Sequence, residues 1–356
     1  MSEPSVLRLD APADLRVARA LLQDGGLLAA PTDTVPGLAA LAGDLRAAGR
    51  LAEAKGSPQD RPFSLHLADR DALARFTPLL PPGLPGWLAT RLPGALTVVL
   101  PRDWVALPSH WDWPWPAVGL RVPDHAGFRA LAAGLPAPLM MSSINSAGSP
   151  PMTGDARVAW LLERGIARVE PLDAPGGGTP SPVVAFDRLP EVRRGTLPDG
   201  PPRPGLRVLV VCTGNICRSP LAAALLRMEI AAAWGVAEED LAALGWDIVS
   251  AGTYAMRGSP ASPHSVTAGA EVGARVSAHR AVHVETLLQE PWDLVLGMGT
   301  SHIAPLPPVW ERELFDPLGH EVPDPFGGDL ATYRQVRDHM HRAVQQRVEA
   351  WSGWGS

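Results

Sequence analysis

Val211-Cys-Thr-Gly-Asn-Ile-Cys-Arg-Ser-Pro220 decides the reading of this 356-residue chain. The stretch holds both of its cysteines, with five residues between Cys212 and Arg218 and Ser219 directly after. An apolar run over 206–211 precedes it and an alanine- and leucine-rich run over 220–227 follows. The pattern predicts a strand, a tight loop and a helix N-terminus. Unpaired backbone N–H groups of such a loop and first turn point at an anion. Arg218 adds two parallel hydrogen bonds to the same oxyanion. Free thiols, with a pKa of about 8.5, are mostly protonated at neutral pH, but a helix N-terminus and a nearby guanidinium favour the thiolate. Gly214 and Asn215 are residue types that tolerate the left-handed backbone of a narrow cradle. The Ser219 hydroxyl is a donor for the Cys212 sulfur, and Thr213, Ile216 and Cys217 complete the loop. The implied chemistry is displacement at phosphorus through a phosphocysteine that water then hydrolyses. Burial alone would account for two cysteines. The strand before them, Gly and Asn between them and Ser-Pro at the helix start favour the anion loop.

A leaving oxygen needs a proton, so a general acid is expected elsewhere. Val322-Pro-Asp-Pro-Phe-Gly-Gly-Asp329 offers Asp324 between two prolines on a stiff loop. On composition alone Asp324 reads as a solvated turn residue.

These two motifs resemble the low-molecular-weight protein tyrosine phosphatase family, with its Cys-x5-Arg-Ser loop and late Asp-Pro. Ser250-Ala-Gly-Thr253, Gly273-Ala-Arg-Val-Ser-Ala-His279-Arg280 and Asp293-Leu-Val-Leu-Gly-Met298 resemble further motifs of the family over about residues 205–350. The resemblance implies a Rossmann-like, mostly parallel four-stranded sheet flanked by helices. It makes Cys212 the nucleophile, Arg218 the phosphate ligand, Ser219 a tuner of the thiolate, Asn215 a shaper of the loop and Asp324 the acid, and it needs no cofactor. Ile216 stands where tyrosine phosphatases of the family have Ile and protein-arginine phosphatases have Thr. Asp324-Pro-Phe-Gly-Gly328 looks instead like the arginine-phosphatase acid loop. Ile216 touches the phosphate site and carries more weight, so a phosphotyrosine protein is the expected substrate. Arsenate reduction needs further cysteines, and the chain has none outside the loop.

About 200 residues precede this domain, enough for a second core. Hydrophobic residues make up 46% of the chain, and no apolar run reaches membrane-spanning length. The first residues do not read as a signal peptide. Two thiols confined to one reactive loop suit a reducing cytoplasm. A net charge of −6 gives no global attraction to nucleic acid. Lys55 is the only lysine among 31 basic residues. Its survival in an arginine-biased chain marks a place suited to a compact ammonium, or chance at a helix end.

Lys55 closes a helix-like stretch over 44–54 and opens Lys55-Gly-Ser57-Pro-Gln-Asp-Arg61-Pro-Phe-Ser-Leu-His66. A buried strand over 25–31 leads into Thr32-Asp-Thr-Val-Pro-Gly37. Pro93-Gly-Ala-Leu-Thr97, Val118-Gly-Leu-Arg121 and Met141-Ser-Ser143-Ile-Asn145 follow, short strands that gather polar groups at one sheet edge. The set resembles threonylcarbamoyl-AMP synthases of the Sua5/YrdC/YciO type over about residues 10–197, including Gly176-Gly-Gly-Thr-Pro-Ser181-Pro-Val-Val and Arg194-Gly195. The resemblance implies a twisted mixed α/β sheet. The implied reaction joins L-threonine, bicarbonate and ATP, with Mg²⁺ on the nucleotide, for tRNA modification. By position Lys55, Arg61, Ser143 and Asn145 would meet ATP, and Thr32, His66 and Arg121 the threonine or its carbamate. This chain departs from the family at Ser57 (Arg), Arg61 (Lys), Pro36 (commonly aromatic) and Pro182 (Thr). The competing class is a module that binds nucleotide or double-stranded RNA beside a phosphatase that alone is catalytic.

The expected organisation is a first domain over 1–197, a Pro-rich linker over 198–205 and a second domain over 206–356. Trp104 and the run Trp111-Asp-Trp113-Pro-Trp115-Pro carry too much proline for a helix. They pack on the domain surface, or else cover the pocket or stack on a base. His264 and His302 lack metal-ligand spacing and read as surface or core residues, and no metal site is expected.

Overall fold

The structure, a computed structural model, describes residues 5–56, 63–146, 148–173, 178–186, 189–198, 200 and 202–353. They form two compact units, Met1–Pro78 with Leu88–Pro202, and Leu79–Trp87 with Arg203–Ser356.

The first unit is built on one mixed sheet. Its strands are β1 (Val6–Leu7), β2 (Leu28–Ala30), β3 (Gly37–Leu41), β4 (Ser64–His66), β5 (Thr97–Pro101), β6 (Ala117–Arg121), β7 (Leu139–Ser143), β8 (Ala167–Val169), β9 (Val183–Phe186) and β10 (Pro190–Arg194). They run in the order β1-β8-β2-β3-β7-β4-β6-β5-β9-β10. All three residues of β2 are buried, as the continuous apolar run predicts. Leu28, Ala30, Ala39, Leu139 and Met141 of this sheet pack with Ala18 and Leu22 of the helix Pro12–Gln23 and with Phe128 and Leu131 of the helix Ala126–Ala133. The helix Leu45–Lys55 is capped by Asp44, whose carboxylate accepts from Arg46 N and Ala47 N. It stops at Gly56 in the left-handed conformation, with φ 59°. That stop leaves Lys55 on the last helical turn.

The second unit is a four-stranded parallel sheet of β11 (Arg207–Cys212), β12 (Asp247–Gly252), β13 (Leu294–Gly297) and β14 (Arg312–Leu314), in the order β12-β11-β13-β14. Leu209, Val211, Ala251 and Val295 meet Trp292, Leu306 and Trp310 in one apolar cluster. The helix Arg218–Trp234 is apolar almost all round and buries twelve residues, which fits a helix packed on several sides. It lies against β12, β11 and the long helix Leu330–Ser352. Strand order reverses at β11, which has β12 on one side and β13 on the other. Ligands of open parallel sheets bind beyond strand C-termini at such a reversal, and Cys212 is the last residue of β11.

Candidate functional site

In the second unit the loop after β11 turns back on the Cys212 sulfur. Asn215 N donates to Cys212 Sγ at 3.3 Å, and Ser219 Oγ lies 3.0 Å from the same sulfur. Asn215 has φ 53°, the one positive φ among the described non-glycine residues. Its fully buried side chain is held on both ends. Val282 N can only donate, so the oxygen Oδ1 faces it at 2.8 Å. Nδ2 therefore faces Ser219 Oγ at 2.8 Å and Ser250 Oγ at 2.9 Å. With the Asn215 amide donating into Ser219 Oγ, the serine hydrogen is left for acceptors, and the Cys212 sulfur is one of two within reach. The other is Ala251 O at 3.3 Å. His279 Nε2 lies 2.7 Å from Asn215 O, a carbonyl that only accepts, so Nε2 carries the proton. Burial lowers the His279 pKa and keeps the ring neutral in this role. Ser250 and His279 thus act on the loop through Asn215, which their place in the sequence did not reveal.

The mouth of the loop belongs to Arg218. Its guanidinium is almost fully buried and donates to Val322 O at 3.1 Å and to Asp324 Oδ2 at 2.5 Å. Asp324 is half exposed, and its other oxygen accepts from Phe326 N at 3.2 Å. A cavity of about 290 Å³ opens here, lined by Cys212, Arg218, Asp324, Ile216, Gly214 and Phe326 among others. Cys217 turns away, its sulfur 3.1 Å from the Tyr333 hydroxyl. Burial pushes the Cys217 thiol up and the Tyr333 hydroxyl up to about 12, so both stay protonated at neutral pH. His302 is the buried one of the two alternatives its sequence left open, and it lies against the loop, with Nε2 2.9 Å from Thr213 Oγ1. Burial, and then Arg218, lower its pKa and hold it neutral. No spacing rule could have found it, because it arrives from the strand-end segment after β13.

Gly252, the last residue of β12, supports the loop from beneath. A Cβ there would stand 2.4 Å from Thr213 O and 2.9 Å from Asn215 N, both backbone atoms. Neither can swing aside, so Gly252→Ala should displace the loop as a unit. Misplacement of about 1 Å costs roughly 10²-fold in rate. A loss of that order in aryl phosphatase kcat/KM is expected, with an unchanged circular dichroism spectrum. Wild-type kinetics in the variant would show that the loop does not rest on Gly252.

The first unit holds a larger cavity, of about 730 Å³, on the face of its sheet. Thr32, His66, Arg121, Ser143 and Asn145 all line it. Arg121 Nη2 donates to Asp33 Oδ1 at 2.5 Å, while its buried Nε has no partner. A buried donor fixed beside such a cavity is the chemistry of a carboxylate site. His66 is buried edge-on to Phe128, and burial takes its pKa down to about 3, so it is neutral. Thr32 Oγ1 donates to Val35 O at 2.9 Å, which pins the turn before β3. Lys55 is buried, with Nζ donating to Ser143 O at 2.5 Å, Asn145 O at 3.0 Å and Asn145 Oδ1 at 2.8 Å. Ser143 Oγ also reaches Asn145 Oδ1, at 2.7 Å. Lys55 therefore ties the end of β7 and the turn after it into one piece. Arg61 and Ser57 lie outside the described residues. The tryptophans divide: Trp111 packs on Phe76, Trp113 meets Trp115 edge-on, and Trp115 lines the cavity. Among the described residues no cluster of His, Cys, Asp and Glu could hold a metal ion, and no helix is long and apolar enough to cross a membrane.

Fold and loop in the second unit together define a class, an α/β domain with a cysteine-centred anion loop. Residues 207–351 match the family model described as low molecular weight phosphotyrosine protein phosphatase. Residues 20–195 match the Sua5_yciO_yrdC model, described as telomere recombination. A probable low molecular weight protein-tyrosine-phosphatase EpsP of Ralstonia nicotianae is 33% identical over 155 residues, 40% of this chain and 92% of the relative. A protein-arginine-phosphatase of Geobacillus stearothermophilus is 31% identical over 152 residues, 40% of this chain and 94% of the relative. A threonylcarbamoyl-AMP synthase of Bacillus subtilis (strain 168) is 34% identical over 178 residues, 50% of this chain and 51% of the relative. The chain belongs to the low molecular weight phosphotyrosine protein phosphatase family and carries, fused ahead of that domain, a domain of the Sua5/YrdC/YciO type. It spans nearly the whole length of the phosphatase relatives but about half that of the synthase.

Proposed function

We propose that this chain is a bifunctional cytoplasmic enzyme. Residues 206–356 hydrolyse protein phosphotyrosine, and residues 1–197 form threonylcarbamoyl-AMP, with 198–205 as a semi-rigid linker. One observation carries the phosphatase reading: Cys212 Sγ ends β11 within hydrogen-bond reach of Asn215 N and Ser219 Oγ, beside the Arg218–Asp324 pair. A phosphate entering the loop takes the Arg218 fork in place of Asp324. The Cys212 sulfur attacks phosphorus, the bond to the tyrosine oxygen breaks, and Asp324 gives that oxygen its proton. Asp324 then takes a proton from the water that attacks phosphorus and releases Cys212. Arg218, the loop N–H groups and the helix N-terminus hold the charge throughout. His302 and Asn215 keep Thr213 and the turn in place.

Ile216 and the exposed Phe326 give the cavity two apolar walls, which suit an aryl ring better than a guanidinium. Relatives of both specificities match the chain, so the test is direct. A phosphotyrosyl peptide should be cleaved with kcat/KM at least about tenfold above a phosphoarginyl peptide, a difference of about 1.4 kcal/mol. The opposite order would assign the domain to phosphoarginine.

In the first unit Arg121, oriented by Asp33, is the carboxylate ligand for L-threonine, with Thr32 and His66 beside it. Lys55, Ser143 and Asn145 shape the end that meets ATP, and Arg61 is assigned there by its sequence position. Mg²⁺ would travel on the nucleotide phosphates and water rather than on a protein ligand set. Bicarbonate supplies the carbamate carbon, and tRNA is the acceptor served downstream. Enzyme names on the relatives of both units support two activities over a phosphatase joined to a nucleotide- or double-stranded-RNA-binding module.

Burial lowers the Lys55 pKa from 10.5 to about 8. The sign follows: the folded state keeps the ammonium below about pH 8 and loses it above, while the unfolded chain stays protonated further up. A neutral amine has two hydrogens for three acceptors, so the Asn145 turn loosens as pH rises through this value. Threonine-dependent pyrophosphate release should fall above about pH 8. A rate flat to pH values well above this would remove the charged Lys55 from the account.

A further inference from the structure

The first unit's cavity has polar and apolar lining. Arg121, His66 and Thr32 are among its polar groups. Trp115 stands two residues before β6 and lines the same cavity, as do Val99, Pro116 and Ala117. Along β6 the residues Ala117, Gly119 and Arg121 line the cavity, while Val118 and Leu120 are fully buried on the opposite side. This alternation is the period of a strand, and four residues of strand set Ala117 about 13 Å from Arg121, with Trp115 two residues before Ala117.

The segment ahead of β6 is tied down in a way that presents Trp115. Arg102 N donates to Pro116 O at 2.8 Å, and Trp113 Nε1 donates to Ala117 O at 3.2 Å. Trp111 packs on Phe76, with ring centroids 6.0 Å apart, and leaves no room for a Cβ at Gly43. Trp113 braces the indole of Trp115 edge-on at 5.0 Å and 78°. Two tryptophans thus anchor the segment, and the third is held half-buried on the wall of the cavity.

We propose that Trp115 is the base-stacking wall of the nucleotide site, so that the purine of ATP lies on its indole at the cavity wall. This rests on the synthase reading and adds to it the residue that recognises the base. Bases stack on aromatic rings whatever their identity, because every base has a π-face, and a flat apolar wall does this where an aliphatic side chain of similar hydrophobicity does not.

The test is calorimetric titration of the full chain with Mg-ATP and, separately, with L-threonine, for the wild type, Trp115→Phe and Trp115→Leu. Trp115→Leu should weaken ATP about tenfold, Trp115→Phe should stay within about threefold of wild type, and both should bind threonine as the wild type does. ATP binding unchanged in Trp115→Leu, or equal losses in Leu and Phe, would overturn the stacking role. Loss of threonine binding in both variants would make Trp115 a packing residue and overturn it equally. A wild type that binds neither ligand would instead remove the synthase reading on which the proposal stands.

Discussion

Cys212→Ser should abolish hydrolysis of phosphotyrosyl peptides, with a loss of about 10⁴-fold or more in kcat, and leave thermal unfolding unchanged. The reason is chemical, not structural. A serine hydroxyl can take both hydrogen bonds that Cys212 Sγ makes, from Asn215 N at 3.3 Å and with Ser219 Oγ at 3.0 Å. The loop, the left-handed Asn215 and its four side-chain and carbonyl bonds to Ser219, Ser250, Val282 and His279 do not depend on sulfur. What is lost is the nucleophile, because an alcohol at neutral pH is far less ionised than a thiol in the same field. The variant should still bind the phosphopeptide. Substantial hydrolysis by Cys212→Ser would mean that the phosphoryl group passes directly to water, and the covalent path would be wrong.

Asp324→Asn should lower kcat for phosphotyrosine by roughly 10²- to 10⁴-fold, the usual contribution of a positioned general acid. The residue also pairs with Arg218 at 2.5 Å, so a simple loss of activity would not separate proton donation from orientation. The leaving group does separate them. A phenol such as tyrosine, with a pKa of about 10, needs its oxygen protonated as the bond breaks. A nitrophenolate leaves readily without that help. The loss in Asp324→Asn should therefore be much smaller for p-nitrophenyl phosphate than for phosphotyrosine. Equal losses on the two substrates would assign Asp324 to holding Arg218 rather than to acid catalysis. Since Asp324 is half exposed, the broken ion pair itself is worth about 1 kcal/mol or less to stability.

Much of the second unit was readable because its information is local. Cys212, Asn215, Arg218 and Ser219 are neighbours in the chain, and a strand, a turn with left-handed backbone and a helix start are each encoded within a few residues. The supports of that loop are not. Ser250 and His302 reach it because β12 and β13 flank β11, and His279 because its segment bridges to Gly252 and Pro260; such pairing leaves no mark at the spacing where a motif is sought. His302 in particular read as a bland core or surface residue until its ring met Thr213. The first unit was readable as a set of short strands and one helix, and Asp44 and Gly56 bound that helix as their residue types predict. Its sheet order was not readable: β1 pairs with β8, and β5 with β9, across long stretches of chain. Lys55 stood out by composition alone, yet its three protein acceptors could be known only from where β7 ends.

One chain with two separable activities should show both side by side, so the decisive measurement is pyrophosphate release from ATP, with and without threonine and bicarbonate, alongside phosphotyrosine hydrolysis, for the wild type, Lys55→Ala and Cys212→Ser. Both activities are expected in the wild type, only phosphatase in Lys55→Ala and only threonine-dependent pyrophosphate release in Cys212→Ser. A wild type that hydrolyses phosphotyrosine at full rate but releases no pyrophosphate in response to threonine would contradict that expectation.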